Sequence, residues 1–547
     1  MEDNREMKKN NHKDGLNDER DQVRGENKSE TGGMGRRDVL KSLATLPFVG
    51  ALFYGAIRKK RLEHYKRSEL LKALDLDKPV EVPAYIPSRS GDSSTLRLGI
   101  IGTGGRGLYL MRAAGFLESR RIDEWAEAAA QDKRDTRLDI YRDQEDLNVT
   151  INGICDVFTA HERRGLEASS NVYRTGTGGQ KGTPAKVYKH YKDLLKADDI
   201  DAVIIATPDH WHAQMTIDAA NAGKHIYIEK PLSLTVDETY AIEKAVLEND
   251  VVLQLGHQNR QIDSHIKARE VIERNLLGQV TLIETFTNRN SPNGAWVYNI
   301  HPESNSENID WKQFLGPAPD HPFSAERFHR WRCWWDYSTG LTGDLFTHEF
   351  DAINQVMQLG IPHSSMASGG IYFFKDGRTV PDVMHVSYEY PDRGLNLLYS
   401  ATLANSKYRK KAFYGHDAYM ELGRDLVVYA DRESTRFQQP IRDGLISTDA
   451  PMITHVPGQA GIDAISSATE LYFAQRGLLY TYRGGRQVDT AHLHIKEWID
   501  AIRYGTPVSC GMQESVEEAI TAHLGTVSYR EGKKTFWDAD KKQIVTG

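Results

Sequence analysis

Leu96-Arg97-Leu98-Gly99-Ile100-Ile101 reads as a buried strand that runs directly into Gly102-Thr103-Gly104-Gly105-Arg106-Gly107 and then into a helical pattern, Leu108 to Phe116. No other stretch constrains the fold as much. A GxGxxG alone is a weak signal, but a strand before it and a helix after it raise its weight. Glycines are needed where a backbone turns tightly and lets a pyrophosphate approach a helix N-terminus. Gly102, Thr103, Gly104, Gly105, Arg106 and Gly107 are therefore candidate dinucleotide contacts.

Such a loop is normally followed, about 20 residues on, by an acid for the ribose hydroxyls. Here that spacing fails. The next strand pattern, Thr150 to Cys155, ends at Asp156, and a highly charged stretch near 118–147 intervenes as an insertion. Asp156 at a strand end fits the ribose role and favours NAD over NADP, because a carboxylate repels a 2′-phosphate. The alternative is a loop aspartate capping the next helix. A second glycine cluster, Thr175-Gly176-Thr177-Gly178-Gly179, has no strand before it and reads as a surface loop.

Strand and helix patterns then alternate, as in a doubly wound sheet. Strands are expected at 201–207, 225–229 and 251–256, with helices at 210–222 and 236–248. From about 258 a different pattern begins: a helix at 264–277, a strand at 280–287, and later strands at 370–374, 383–390, 396–401 and 419–422. Helices at 492–504 and 515–529 close the chain and are expected to pack back on the body.

Three segments within this pattern carry a family resemblance: Ala206-Thr207-Pro208-Asp209-His210-Trp211-His212, Glu229-Lys230-Pro231-Leu232 and Gly343-Asp344-Leu345-Phe346-Thr347-His348. Together they resemble the Gfo/Idh/MocA oxidoreductases, which include glucose-fructose oxidoreductase and inositol dehydrogenases. The resemblance covers roughly 95–547 apart from the insertion, and its Glu-Lys-Pro segment is more specific than the glycine loop. It implies an α/β fold: an N-terminal Rossmann doubly wound parallel sheet, then a C-terminal α+β domain with a large open, mostly antiparallel sheet that often forms the oligomer contact. The expected boundaries are a disordered N-region and signal at 1–57, a linker at 58–94, a dinucleotide-binding domain at 95–257 and a substrate domain at 258–547. It also places Thr207, Pro208, Asp209, His212 and Glu229 beside the cofactor, although Asp209 equally suits a helix N-cap.

Oxidising a secondary alcohol needs a base for the hydroxyl proton and charge stabilisation on the oxygen. Lys230 lies at a strand's carboxyl end, where ligands of open α/β sheets collect, and a lysine there stabilises charge on a reacting oxygen. Without the resemblance it reads as a solvated lysine at a strand exit. Asp344 and His348 are four apart in a helical pattern and share a face. An imidazole oriented by a carboxylate suits base chemistry near neutral pH. The resemblance implies the trio Lys230, Asp344 and His348, with His348 as base; an N-cap and a core histidine are the plain alternatives. No third ligand accompanies the Asp-His pair, so no metal is expected. Trp335 and Tyr337, in an aromatic cluster with Trp331 and Trp334, suit either sugar stacking or a core. Asn259 and Arg260, past the last strand, are candidates for substrate hydroxyls.

With 547 residues the chain is too long for a single core. Its net charge of -7 carries no footprint for nucleic acid. Cys155, Cys333 and Cys510 form neither a disulfide framework nor a zinc pattern, and read as buried small hydrophobes. Residues 1–34 are polar and dense in charge, as in disordered segments. Gly35-Arg36-Arg37-Asp38-Val39-Leu40-Lys41 and the apolar run to Ile57 resemble a twin-arginine export signal, with Val39 where an aromatic is preferred; the plain alternative is an ordinary buried helix with two arginines before it. The bulky Tyr54 makes a poor cleavage site, which leaves the segment as a membrane tether of a periplasmic protein. Twin-arginine export moves folded proteins, which suits a tightly held NAD. The expectation is an exported sugar or polyol dehydrogenase with a small carbohydrate substrate, assembling as a homo-oligomer. A redox-neutral NAD-dependent glycosidase, and a binding protein that kept the fold without catalysis, are the alternatives.

Overall fold

The computed structural model describes residues 94–171, 182–456, 480–483 and 486–547, with scattered positions between 59 and 74. The export motif, the apolar run to Ile57 and the 175–179 glycine cluster lie outside the described residues. The chain divides into two compact units, Met1–Glu69 and Leu70–Gly547. In the first, the described positions from 59 to 69 are helical. In the second, helical positions continue to 72 and Leu74 is buried. The expected linker at 58–94 is thus partly helix, because its leucines have a core to meet. No helix among the described residues is long and apolar enough to cross a membrane.

The first sheet is parallel and six-stranded. Its strands are β1 (Leu96–Ile101), β2 (Val149–Cys155), β3 (Lys186–Val187), β4 (Ala202–Ile205), β5 (His225–Ile228) and β6 (Leu253–Leu255), in the order β3-β2-β1-β4-β5-β6. Every residue of β4 is buried, as expected of a strand covered by helices on both faces. The order reverses between β1 and β4, where open sheets of this kind bind ligands.

One face of this sheet is covered by α1 (Gly105–Ala113) and the other by α2 (His212–Asn221) and α3 (Val236–Glu248). The charged insertion forms two helices, Ser119–Gln131 and Arg137–Arg142, around a small core of Leu117, Ile122, Trp125, Leu138 and Tyr141. It interrupts the sequence but not the sheet. Ile101 still pairs with Cys155, and Gly102 N donates to Cys155 O at 2.8 Å.

After α4 (Asp263–Glu273) comes β7 (Val280–Asn288), then α5 (Thr347–Met357) and seven strands: β8 (Ser364–Gly370), β9 (Val383–Tyr390), β10 (Leu395–Thr402), β11 (Lys411–Gly415), β12 (Ala418–Leu422), β13 (Leu426–Ala430) and β14 (Ile453–His455). A hairpin, β15 (Tyr480–Arg483) and β16 (Arg486–Asp489), leads to α6 (Thr490–Tyr504) and α7 (Met512–Glu531), and β17 (Thr535–Asp538) and β18 (Gln543–Thr546) follow. The ten-stranded sheet runs β14-β13-β12-β11-β7-β10-β9-β8-β17-β18 and is antiparallel except between β7 and β10. The strand expected at 370–374 falls instead at 364–370. Beyond it Asp382 accepts from the backbone amides of Tyr372, Phe373 and Phe374 and folds them into a loop.

The two tail helices do pack back, on different partners. Ala491, Ile495, Trp498 and Ile499 of α6 complete the core against β1, β4 and β5. Ile520 and Leu524 of α7 join the core of the ten-stranded sheet. All three cysteines are buried and free.

Candidate active site

The glycine loop divides its glycines by task. Gly102 has a φ of +88°, and a Cβ there would lie 2.6 Å from Ala206 O. A Cβ on Gly107 would lie 2.0 Å from Gly102 O. These two are demanded by the protein's own backbone. Around Gly105 there is nothing within 4 Å, and a Cβ on Gly104 meets only His161, at 3.4 Å. The open pair sits at the N-terminus of α1, where free amides and the helix dipole favour an anion. The residues therefore fit a dinucleotide.

Asp156 lies beside this loop. Its Oδ2 accepts from Thr103 N at 2.7 Å and its Oδ1 from Phe158 N at 2.9 Å. Burial pushes its carboxyl up, but His161 and the two amides outweigh that and hold it below the usual carboxylate range. Thr103 itself is fully buried.

A cleft of about 640 Å³ opens from Gly104, Gly105 and Arg106 past Asp156 to Thr207, Pro208, Asp209, Glu229 and Lys230. That is a usual size for a ligand pocket. Its far wall carries Tyr298, Trp331 and Arg332 from the second domain. Arg106 lies 3.7 Å from Glu229, which also accepts from Gln258 at 3.0 Å. Asp209 accepts from Thr339 N and Oγ1 across the domains, and burial pushes its carboxyl up. His212 does not line the cleft. Its two ring nitrogens face the carbonyl oxygens of Thr207 and Pro231, holding the strand-end loops together.

The two domains meet at Lys230, whose Nζ donates to Asp344 O at 2.7 Å and to Asp344 Oδ1 at 2.8 Å. Asp344 sits in a π-helical turn, Thr342–Phe346, ahead of α5. Wider turns of this kind free backbone carbonyls and cluster at functional sites. The Asp344 carboxylate also accepts from Arg332 Nε at 2.9 Å and from Trp296 Nε1 at 3.0 Å. Burial raises its pKa, but Lys230 and Arg332 overcome this and hold it well below the carboxylate range. The expectation that Asp344 orients His348 is corrected: its hydrogen bonds go to Lys230, Arg332 and Trp296.

His348 is half-buried. Burial first, then the charges of Lys230, His257 and Arg106, hold its pKa well below the ordinary histidine value. The imidazole is therefore neutral at neutral pH. Its ring stands edge-on to His257, with centroids 5.5 Å apart.

Four expected substrate contacts lie elsewhere. Arg260 is buried with its Nε on Asp351 Oδ1 at 2.6 Å and its Nη1 on Ser509 O, so it serves an ion-pair network. Tyr337 is fully buried against His210 and Phe314. Trp335 packs on Tyr529 with Arg530 over its ring, outside the cleft. Asn259 belongs to the short Gln258–Gln261 turn and does not line the cleft either. These four were suggested by nearness in sequence to a strand end or an aromatic cluster, whereas tertiary contacts decide exposure.

Residues that the sequence did not single out complete the site. Trp296 is fully buried with a φ of +64°, an uncommon backbone for a bulky side chain. Arg332 and Tyr298 line the wall. Neither their spacing nor their neighbours set them apart. His257, Asp351 and Glu518 bring donor atoms within 4.8 Å of one another, close enough for a cation. Arg260 supplies a positive charge there, and Glu518 and Asp351 raise the His257 pKa against the pull of burial.

Residues 152–257 match the NAD-binding Rossmann fold of the Gfo/Idh/MocA oxidoreductase family, and residues 265–365 match its C-terminal alpha/beta domain. The chain is 30% identical over 190 residues to levoglucosan dehydrogenase of Pseudarthrobacter phenanthrenivorans, covering 33% of this chain and 41% of that protein. It is 27% identical over 250 residues to an alpha-N-acetylgalactosaminidase of Shewanella oneidensis, covering 42% and 51%. The match thus spans about half or less of these curated relatives. A levoglucosan dehydrogenase solved with NADH and levoglucosan superposes with a TM-score of 0.51 at 18% identity, over 82% of this chain and 99% of that one. Its complex with NADH and L-sorbose gives 0.52 at 18% identity, over 82% and 98%. That likeness is one of fold. The glycine loop, the strand order and both family matches agree: residues 152–257 and 265–365 resemble the NAD-binding Rossmann domain and the C-terminal α/β domain of the Gfo/Idh/MocA oxidoreductases.

Proposed function

We propose that this protein is a dehydrogenase acting on a secondary hydroxyl of a sugar, glycoside or polyol. The observation that carries the reading is the Lys230–Asp344 junction, with Lys230 lining the same cleft as the glycine loop. Lys230 uses two ammonium hydrogens on Asp344, and the third remains for the substrate oxygen. Neutral His348 takes the hydroxyl proton while Lys230 stabilises charge on that oxygen. A nicotinamide bound in this cleft supplies the hydride acceptor. The ionised Asp156 favours NAD over NADP by repelling a 2′-phosphate.

The test is the purified protein offered a sugar panel, with cofactor reduction and product identity as readouts. A keto-sugar supports the reading. His348→Ala should cut turnover by about 10²- to 10⁴-fold with the dinucleotide retained; undiminished turnover would remove His348 as base. The alpha-N-acetylgalactosaminidase relative favours a second reading, oxidation, elimination and re-reduction within one site. Release of a free aglycone without net cofactor reduction identifies that chemistry.

The Arg36-Arg37 pair supports periplasmic export with the signal kept as a tether. Changing both to Lys should then leave the protein in the cytoplasm on fractionation. Exposed Met366, Leu398 and Tyr414 on the open sheet support a homo-oligomer, which sedimentation would measure.

A further inference from the structure

Asp344 is one carboxylate shared by several cations. Lys230 Nζ and Arg332 Nε both bond its Oδ1, at 2.8 and 2.9 Å, and the charge of Arg289 reaches it too. Among the described residues Arg289 forms no ion pair, whereas Arg106 lies beside Glu229 at 3.7 Å. Asp209 lies nearby too, so Lys230, Arg332, Arg289 and Arg106 face the carboxylates of Asp344, Glu229 and Asp209. The reacting end of the cleft therefore holds more positive charge than the chain balances. A pyrophosphate finds donors of its own in the free amides of the open glycines at the α1 N-terminus.

The surplus is concentrated on Arg332. Its Nε is the only guanidinium nitrogen bonded to a described residue, which leaves the Nη1–Nη2 edge free. The side chain is 26% exposed and lines the cleft, so a ligand can reach that edge. The Trp331 ring lies 4.1 Å from the guanidinium and fixes its plane. A planar edge with two parallel N–H donors matches a carboxylate in bidentate fashion. Lys230 and Arg332 flank one oxygen of Asp344, so a single sugar ring spans from the reacting hydroxyl to the free edge.

We propose that Arg332 selects a carboxylate-bearing sugar, a hexuronate or aldonate, with its Nη1–Nη2 edge pairing the acid while Lys230 holds the hydroxyl to be oxidised. This rests on the dehydrogenase reading for the fate of the hydroxyl, but not for the binding. A partly buried, half-paired guanidinium is costly, and the substrate's acid relieves that cost on binding.

The probes are D-glucuronate, D-galacturonate and D-mannuronate against glucose, galactose and mannose, titrated into the protein carrying its dinucleotide. Tryptophan fluorescence and calorimetry report binding, and NADH absorbance reports oxidation. At least one uronate should bind roughly 10- to 100-fold tighter than its hexose, the scale of a charge-assisted pair. Arg332→Gln should erase that ratio and Arg332→Lys should keep part of it, with dinucleotide retention unchanged as the check on folding. Equal binding of acid and hexose, binding of none of the six, or a preference that survives Arg332→Gln overturns the assignment. Reduction of the cofactor by a neutral hexose alone overturns it and leaves the dehydrogenase reading standing. A uronate preference without cofactor reduction keeps the assignment and counts against the dehydrogenase.

Discussion

Lys230 and Asp344 are joined twice, through the carbonyl oxygen at 2.7 Å and through Oδ1 at 2.8 Å. Backbone and side chain of one residue thus fix the ammonium that faces the reacting oxygen. Because Lys230 ends the first domain's strand and Asp344 precedes α5, the contact also sets how the cleft walls meet. Asp344→Ala leaves Lys230 and Arg332 without their counter-ion. The expected cost is about 3–5 kcal/mol, the range for breaking a buried pair from one side. Asp344→Asn keeps the shape and should lose turnover through a misplaced Lys230. Chemical unfolding and turnover measured on both variants check this, and parent-like values in Asp344→Asn would refute it.

The glycine loop predicts opposite failures at neighbouring positions. Gly104→Val meets only the His161 ring on the protein side, at ordinary contact distance, so it should fold normally and lose the dinucleotide. Gly107→Ala drives a Cβ into Gly102 O and should destabilise the domain itself. Melting curves with cofactor analysis separate the two, and a Gly104→Val protein that retains its dinucleotide contradicts the assignment.

Acid should weaken the fold through its buried histidines. His210 and His523 are pushed down to about 4, and His265 to about 3, all chiefly by burial. Each is neutral when folded, while the unfolded chain protonates below the ordinary value of 6.5. Between the two values the unfolded state binds more protons, so stability falls as pH falls from 6.5 toward 4, by about 1.4 kcal/mol per pH unit per residue. His257 acts in the opposite sense, its raised pKa giving stability that is lost as pH rises. Urea midpoints across this window check the sign, and His523→Gln should flatten the slope.

Asp156→Ala should weaken NAD binding more than NADP binding. It also frees Thr103 N and Phe158 N, so the glycine loop should loosen. Calorimetry with both dinucleotides reads the first effect and hydrogen exchange at Thr103 the second. Equal NAD and NADP affinity in the parent would exclude selectivity from this residue.

What the sequence made legible was local or periodic. The strand entering Gly102 and the Glu229-Lys230-Pro231 strand end are short-range patterns, and both lie where expected. The insertion hid the distance to Asp156 only in sequence, since β1 and β2 pair regardless. Arg332, Tyr298 and Trp296 come from irregular segments whose places depend on partners far along the chain. Arg260 failed for the same reason: its partners, Asp351 and Ser509, come from α5 and the tail.

Helix α6 has a consequence for the order of synthesis. Trp498 and Ile495 fill the core behind β1, and His494 Nδ1 meets Tyr227 OH on β5 at 3.0 Å. The nucleotide-binding half is therefore incomplete when its own strands leave the ribosome, and stays so until residues from 490 onward emerge. Domains usually fold as units in order of emergence, but this one must wait for a helix more than 200 residues beyond its last strand. Cofactor loading is then a late, post-translational event, and a nascent chain stalled before α6 should capture no dinucleotide.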